Sequence, residues 1–255
     1  MPTALTRRPD ASLAECQLTH VERSPIDPGV ALVQHRAYRE RLRGLGLELI
    51  DLPALEGRPD ATFVEDAAVV LEEAAILPRM GARERRPESD SLAAALAPHR
   101  ELVRLDDPPD ATLDGGDVLH VGDTLYVGWS GRTNHAGLRA FAHLVLPYGY
   151  KVKAVEVRGC LHLKTACTWL GDELLLVNPR WVRLGRVRGL RALAVDPAEP
   201  FAANALRVGD TVLLQASCPR TAERVAAAGY DVRTLDISEF ARAEAGLTCL
   251  SLILD

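Results

Sequence analysis

Short apolar runs of β type alternate along the chain with stretches of helical period, and the alternation recurs. Residues 63–71 and 74–79 flank Glu72-Glu73, 118–121 and 124–128 flank Gly122-Asp123, 165–170 and 173–177 flank Gly171-Asp172, and 202–208 and 211–214 flank Gly209-Asp210. A fifth run, 247–254, ends the chain after one strand. A Gly-Asp pair between two such runs predicts a tight hairpin, since the turn needs backbone conformations that these residues tolerate. Helical patterns follow the hairpins, for example 136–146 after Arg132-Thr133-Asn134 and 222–228 after Pro219-Arg220-Thr221. Gly149 and Gly229 close these helices, and strands at 152–157 and 232–235 come next.

The unit is therefore strand–strand–helix–strand. Its matched positions are Asp66, Asp114, His162, Asn204 and Cys249, which stand 48, 48, 42 and 45 residues apart. A period of this length predicts an array of repeats. The fifth unit lacks its second half, while the N-terminus offers a strand at 3–7, a helix at 29–45 and a strand at 48–52. The simplest closure has these N-terminal elements complete the last unit, giving one α/β domain over residues 1–255, a ring of five units with an axial site.

Composition adds limits. Hydrophobic residues make up 47% of the 255, enough for a substantial core, and the net charge is −5 without a basic block. Nucleic-acid binding, which needs clustered Lys and Arg, is not expected. Lysine occurs only at Lys151, Lys153 and Lys164. The first residues lack the apolar segment of a signal peptide, and no run approaches the length of a membrane span. Cys16, Cys160, Cys167, Cys218 and Cys249 are odd in number and scattered, which predicts free thiols in a cytoplasmic protein that does not engage membranes.

In a closed ring, Asp114, His162 and Cys249 converge on one point. An acid, a histidine and a cysteine brought together make a nucleophilic site, with the thiolate as nucleophile and the imidazole as general acid and base. Each residue alone has a plainer reading. A lone cysteine is usually a small core residue, a histidine between Leu161 and Leu163 a satisfied core group, and Arg83-Glu84-Arg85-Arg86 a solvated face. Cys160 and Cys167 around His162 suggest zinc, but the spacing on what the pattern predicts to be a strand is not that of a closed site, and no metal or organic cofactor is expected.

The motifs Phe63-Val64-Glu65-Asp66, Leu113-Asp114-Gly115-Gly116-Asp117, Arg132-Thr133-Asn134, Leu161-His162-Leu163-Lys164, Ala202-Ala203-Asn204 and Thr248-Cys249 occur in one order over residues 60–254. In this the chain resembles the dimethylarginine dimethylaminohydrolases, members of the guanidino-group-modifying superfamily. The resemblance implies a five-bladed α/β propeller and hydrolysis of a methylated arginine to citrulline and an amine, without metal or cofactor. It also implies roles: Cys249 as nucleophile, His162 as acid and base, Asp114 orienting His162, and Asp66 gripping the guanidinium. Arg85 and Arg132 would face the substrate carboxylate and Asp60 its ammonium, with Glu65 and Phe63 lining the pocket, Leu18 on a lid and Ala243 offering a carbonyl. Gly115 and Gly116 would let the backbone turn or lie close to the substrate, where the plainer reading is a strand-entry turn capped by Asp.

Other guanidine chemistries use the same residue types. A deiminase acting on arginine is the near alternative, although arginine deiminases are longer. Agmatine deiminases have no need of carboxylate-binding arginines, and an amidinotransferase would need a second amine acceptor. A non-catalytic propeller scaffold is the alternative of another class, and the joint presence of Cys249, His162 and two acids argues against it. The expected partner is a small guanidino amino acid. A homodimer is compatible with the sequence, in which no heptad or exposed repeat edge demonstrates one.

Overall fold

The computed structural model describes residues 2–182 and 189–254. The chain opens with β1 (Thr3–Arg7), α1 (Pro28–Gly44) and β2 (Glu48–Leu52), then runs through β3 (Val69–Val70), β4 (Ala74–Pro78), α2 (Glu88–Leu96) and β5 (Glu101–Leu105). The same order recurs as β6 (Val118–Val121), β7 (Thr124–Trp129), α3 (His135–Val145) and β8 (Lys151–Glu156). A helical turn, α4 (Leu163–Ala166), precedes β9 (Cys167–Gly171), β10 (Leu174–Val177) and β11 (Arg191–Ala194). β12 (Leu206–Val208), β13 (Thr211–Gln215), α5 (Pro219–Ala227) and β14 (Asp231–Leu235) form the next unit, and α6 (Ser238–Arg242) and β15 (Leu252–Leu254) end the chain.

These strands make five three-stranded sheets. In each, the first pair is antiparallel and the second parallel, the pattern a tight hairpin followed by a helical crossover produces. Closure is as the repeat predicts: β1 pairs antiparallel with β15, from Thr3 opposite Leu254 to Leu5 opposite Leu252, and parallel with β2. The five-bladed α/β propeller follows. Each crossover helix covers its own sheet, as where Phe141 and Val145 of α3 pack with Leu125, Val127 and the neighbouring blade's Ile76 and Leu105. The connection from β10 to β11 passes through residues outside those described, so the helix expected of that blade is not placed.

In four units the run expected to be strand is in part a turn: β3 begins at Val69, β9 at Cys167, β12 at Leu206 and β15 at Leu252, against runs expected from 63, 165, 202 and 247, whereas β6 begins at Val118 as expected. Short turns at Val64–Ala67, Gly115–Asp117, Leu163–Ala166, Pro200–Ala203 and Thr248–Leu250 stand in front of the strands. Each is closed by a backbone bond three residues long, among them Asp117 N–H to Asp114 O at 3.0 Å and Thr165 N–H to His162 O at 3.1 Å. Both faces of these segments are buried, so hydropathy alone does not separate turn from strand. The bend carries the matched residues toward the axis.

Candidate active site

The five turns deliver Asp66, Asp114, His162, Asn204 and Cys249 to one buried region. All are less than a tenth exposed. Close approach of the turns depends on Gly115 and Gly116. A Cβ on Gly115 would sit 2.1 Å from the Glu65 carbonyl oxygen, and one on Gly116 would sit 2.6 Å from Asp66 Oδ1 and 2.7 Å from His162 Nδ1.

His162 lies between two carboxylates. Its Nε2 is 3.0 Å from Asp114 Oδ2 and its Nδ1 is 3.5 Å from Asp66 Oδ1. Burial works against the charged ring, but Asp66, the hydrogen bond to Asp114, and Asp117 outweigh it and push the pKa up to about 9. The ring is therefore an imidazolium at neutral pH. Asp66 is held below the usual carboxylate range: burial opposes ionisation, and His162 and Arg85 overcome it. Asp66, Asp114 and His162 bring potential ligand atoms within 4.8 Å of one another. A metal bound there would have to displace a ring proton.

Cys249 Sγ accepts from the Gly246 N–H at 3.4 Å and from Asn204 Nδ2 at 3.8 Å. Asn204 also receives the Thr248 N–H at 3.0 Å, which fixes the turn that carries the thiol. Burial and the negative charges of Glu65 and Asp66 push the thiol up to about 12. The Cys249 thiol is thus neutral until positive charge is placed beside it. Glu65 is paired with Lys164 Nζ at 2.7 Å and accepts from Thr248 Oγ1 at 2.7 Å, and burial still raises its pKa.

The two arginines differ. Arg85, expected in a solvated run or on the substrate, is buried and committed. Its Nη1 donates to Asp66 at 2.6 Å, its Nη2 to the Asp60 and Phe63 carbonyls and to Glu88, and its Nε to Glu88. Among the described residues only its second Nη1 hydrogen lacks an acceptor, so a ligand of Arg85 takes that hydrogen or shares a donor. Arg132 reaches the Gln17 amide oxygen at 3.4 Å and lies 3.9 Å from Asp114 through Nη1, which has no hydrogen-bond partner among the described residues. Asp66 Oδ1 likewise accepts no hydrogen bond there. The region thus holds, on Asp66 beside His162 and on Arg132, a buried acceptor and a buried cationic donor that are matched by charge but make no hydrogen bond among the described residues.

The remaining expected residues border this region. Phe63, Ala243 and Cys249 share an apolar cluster, with half-buried Leu18 packed against it. The segment around Leu18 is tied down by polar bonds. The Gln17 N–H donates to Asp60 at 3.2 Å, and the Thr19 and His20 N–H groups donate to Glu244 at 2.6 and 3.0 Å. Burial raises the pKa of Asp60, with Arg85 and the Gln17 N–H opposing. Cys160 and Cys167, the zinc candidates, donate instead to the His162 and Leu163 carbonyls. Asn204, Asp117 and Lys164 were visible in motifs but received no role, whereas Gln17, Glu88 and Glu244 are brought in only by the fold and left no sequence signal.

The arginine deiminase family model matches residues 54–213. A dimethylarginine dimethylaminohydrolase of Streptomyces coelicolor is 43% identical over 98% of this chain and 96% of its own. A structure of the Pseudomonas aeruginosa dimethylarginine dimethylaminohydrolase, a cysteine-to-serine variant complexed with citrulline, superposes with a TM-score of 0.94 at 31% identity, covering 99% of this chain and 98% of that one. The N-terminal domain of a cyanobacterial arginine dihydrolase, ArgZ, shares the fold at a TM-score of 0.85 and 20% identity, covering 99% of this chain and 98% of that one. With a buried cysteine, histidine and paired acids at equivalent turns of a five-bladed propeller, and likeness along almost the whole chain, the protein belongs to the dimethylarginine dimethylaminohydrolase family.

Proposed function

We propose that the protein hydrolyses Nω-methylated L-arginine to L-citrulline and methylamine or dimethylamine. The observation that carries this reading is the charge arrangement at the axis: a neutral buried thiol, Cys249, lies in the field of Glu65 and Asp66, and Asp66 also lies 3.5 Å from the His162 imidazolium. Such a site favours a cationic ligand, and binding that cation lowers the thiol pKa. A guanidinium fits Asp66, whose Oδ1 has an unused acceptor. Arg132 has a donor available for the α-carboxylate and Asp60 an anionic group for the α-ammonium. Leu18 and Ala243 close the apolar side with Phe63. Arg85 assists the carboxylate by sharing a donor while it holds Asp66.

The chemistry then balances in two steps. With the guanidinium bound, the Cys249 thiol gives its proton to solvent, and the thiolate attacks the guanidinium carbon, forming a C–S bond. The methylated C–N bond breaks, and the amine leaves with a proton from His162, giving a thiouronium. Water, deprotonated by His162, adds to that carbon. The C–S bond breaks, releasing citrulline and the thiol. Asp114 holds the ring in one orientation throughout.

A second reading, hydrolysis of unmethylated arginine, is favoured by the arginine deiminase description of the matching family model. One assay separates them: citrulline release from asymmetric dimethylarginine, monomethylarginine, arginine and agmatine, with Cys249→Ser alongside. Turnover of the methylated substrates alone, abolished in the variant, is expected. Turnover of arginine alone replaces the substrate, and no Cys249-dependent release from any of them removes the assignment.

A further inference from the structure

Asp117 is a buried carboxylate that this chemistry does not use. It ends the turn that begins after Asp114. Its Oδ1 accepts the N–H of Leu163, the residue after His162, at 2.9 Å. Its Oδ2 accepts the hydroxyls of Ser130 at 2.6 Å and Thr133 at 2.7 Å. Those hydroxyls hold backbone in turn. Ser130 Oγ accepts the N–H groups of Arg132 at 3.0 Å and Thr133 at 3.2 Å, and Thr133 Oγ1 accepts the N–H of Asp114 at 3.2 Å. The segments carrying His162, Arg132 and Asp114 therefore all hang on one carboxylate, directly or through one hydroxyl. A longer acid has no room, because even a Cβ on Gly128 would lie 2.4 Å from Asp117 Oδ1.

We propose that Asp117 is a positioning residue for this reaction, holding the His162 ring and the Arg132 guanidinium in a common register so that the leaving-group acid and the head-group cation meet the same substrate. The inference rests on the roles given to His162 and Arg132 above. Two contributions are separable. Asp117 fixes backbone, and its charge also supports the imidazolium together with Asp66 and Asp114. The groups facing Asp117 itself are His162, the hydroxyls of Ser130 and Thr133, the Leu163 N–H and the Cys160 thiol. Asparagine keeps the size, removes the charge and turns one acceptor oxygen into a donor, so it disturbs both contributions, whereas Ser130→Ala disturbs the backbone bonds and leaves the charge.

The test is steady-state citrulline release from dimethylarginine across the pH range for wild type, Asp117→Asn and Ser130→Ala. Asp117→Asn is expected to lose about 10²-fold in kcat/KM, the scale of a small misplacement of reacting groups. Its basic limb, set by His162 deprotonation, moves to lower pH by about one unit as one neighbouring charge disappears. Ser130→Ala removes the bond to Asp117 and releases the Arg132 and Thr133 N–H groups, while the Asp117 charge and its bond to the Leu163 N–H stay in place. It raises KM about tenfold, the scale of a loosened positioning contact at Arg132, with kcat and the basic limb nearly unchanged. A folded Asp117→Asn variant with the wild-type limb, or with wild-type kcat/KM, overturns the proposal. If Asp117→Asn does not fold, Ser130→Ala decides, and a fall in kcat with unchanged KM counts against it. Wild type that releases no citrulline refutes the functional reading instead, so the two failures are distinguishable.

Discussion

His35 in α1 and His162 at the axis are buried alike, 1% and 3% exposed, yet their titrations are driven in opposite directions. Around His35 neither ring nitrogen has a hydrogen-bond partner among the described residues, and its nearest aromatic neighbour is Phe240 with ring centroids 6.3 Å apart. Burial, with Arg39 adding repulsion, pushes His35 down to about 4. His162 is under the same kind of burial, but Asp66, Asp114 and Asp117 push it up to about 9. The comparison separates burial from function. Desolvation alone yields an inert neutral ring, and the carboxylates delivered by the propeller's turns make a buried histidine into a proton donor.

The comparison breaks most sharply if Asp114 is made neutral. Asp114→Asn removes the anionic partner of His162 Nε2 while nearly preserving shape. Loss of the acid that orients a catalytic imidazole costs on the order of 10³–10⁴-fold in kcat. The sign of the pH effect is fixed as well. The first step needs the ring protonated, so lowering its pKa moves the basic limb of kcat below about 9. A pH profile of the variant with the limb unmoved would show that Asp114 does not govern the ring's charge.

Much of this was legible in the sequence because repetition carries it. The Gly-Asp hairpins and the recurring interval placed β6, β7, β12 and β13 to within a few residues and closed the ring with β1 against β15. The same interval singled out Asp66, Asp114, His162 and Cys249. What escaped was local or non-repeating. The turns at the axis, apart from the one after Asp114, fall within runs that read as strand because both of their faces are buried. Arg85, which resemblance places on the substrate carboxylate and the polar run Arg83-Glu84-Arg85-Arg86 would leave in solvent, is turned inward to Asp66 and Glu88, a pairing that no local pattern encodes. Glu244 reaches Thr19 and His20 across more than 220 residues of sequence, a contact no local pattern encodes.

Tyr38, one turn beyond His35 on α1, sharpens the contrast within a single helix. It too is fully buried, but its hydroxyl donates to the Leu247 carbonyl at 3.0 Å and lies 2.7 Å from Ser251 Oγ. Those partners flank Cys249. Tyr38→Phe leaves a buried carbonyl and hydroxyl without this partner, and the expected loss of stability is about 1–3 kcal/mol. Chemical denaturation with an unchanged m-value is the check. A cost below a few tenths would mean that the bonds between α1 and the cysteine turn contribute little.

The smallest effect at neutral pH belongs to His35→Leu, and its pH dependence is the most informative. The folded pKa of His35 lies below the unfolded value, so its contribution is present above about 6.5 and is lost as pH falls toward 4. The folded pKa of His162 lies above its unfolded value, so its contribution is full below about 6.5 and is lost as pH rises through 9. At about 1.4 kcal/mol per pKa unit, each group can shift stability by roughly 3 kcal/mol, in opposite windows. Removing the His35 ring should therefore flatten the acid side of the stability curve and leave the alkaline side as it was. At neutral pH the change should stay within about 1 kcal/mol, because an apolar side chain of slightly larger volume replaces a ring whose nitrogens have no hydrogen-bond partner among the described residues. Urea denaturation of wild type and variant from pH 4 to pH 9 reads both arms together. Equal curves on the acid side would mean that His35 finds a partner or water once charged, and that burial at this helix does not carry the cost assigned to it.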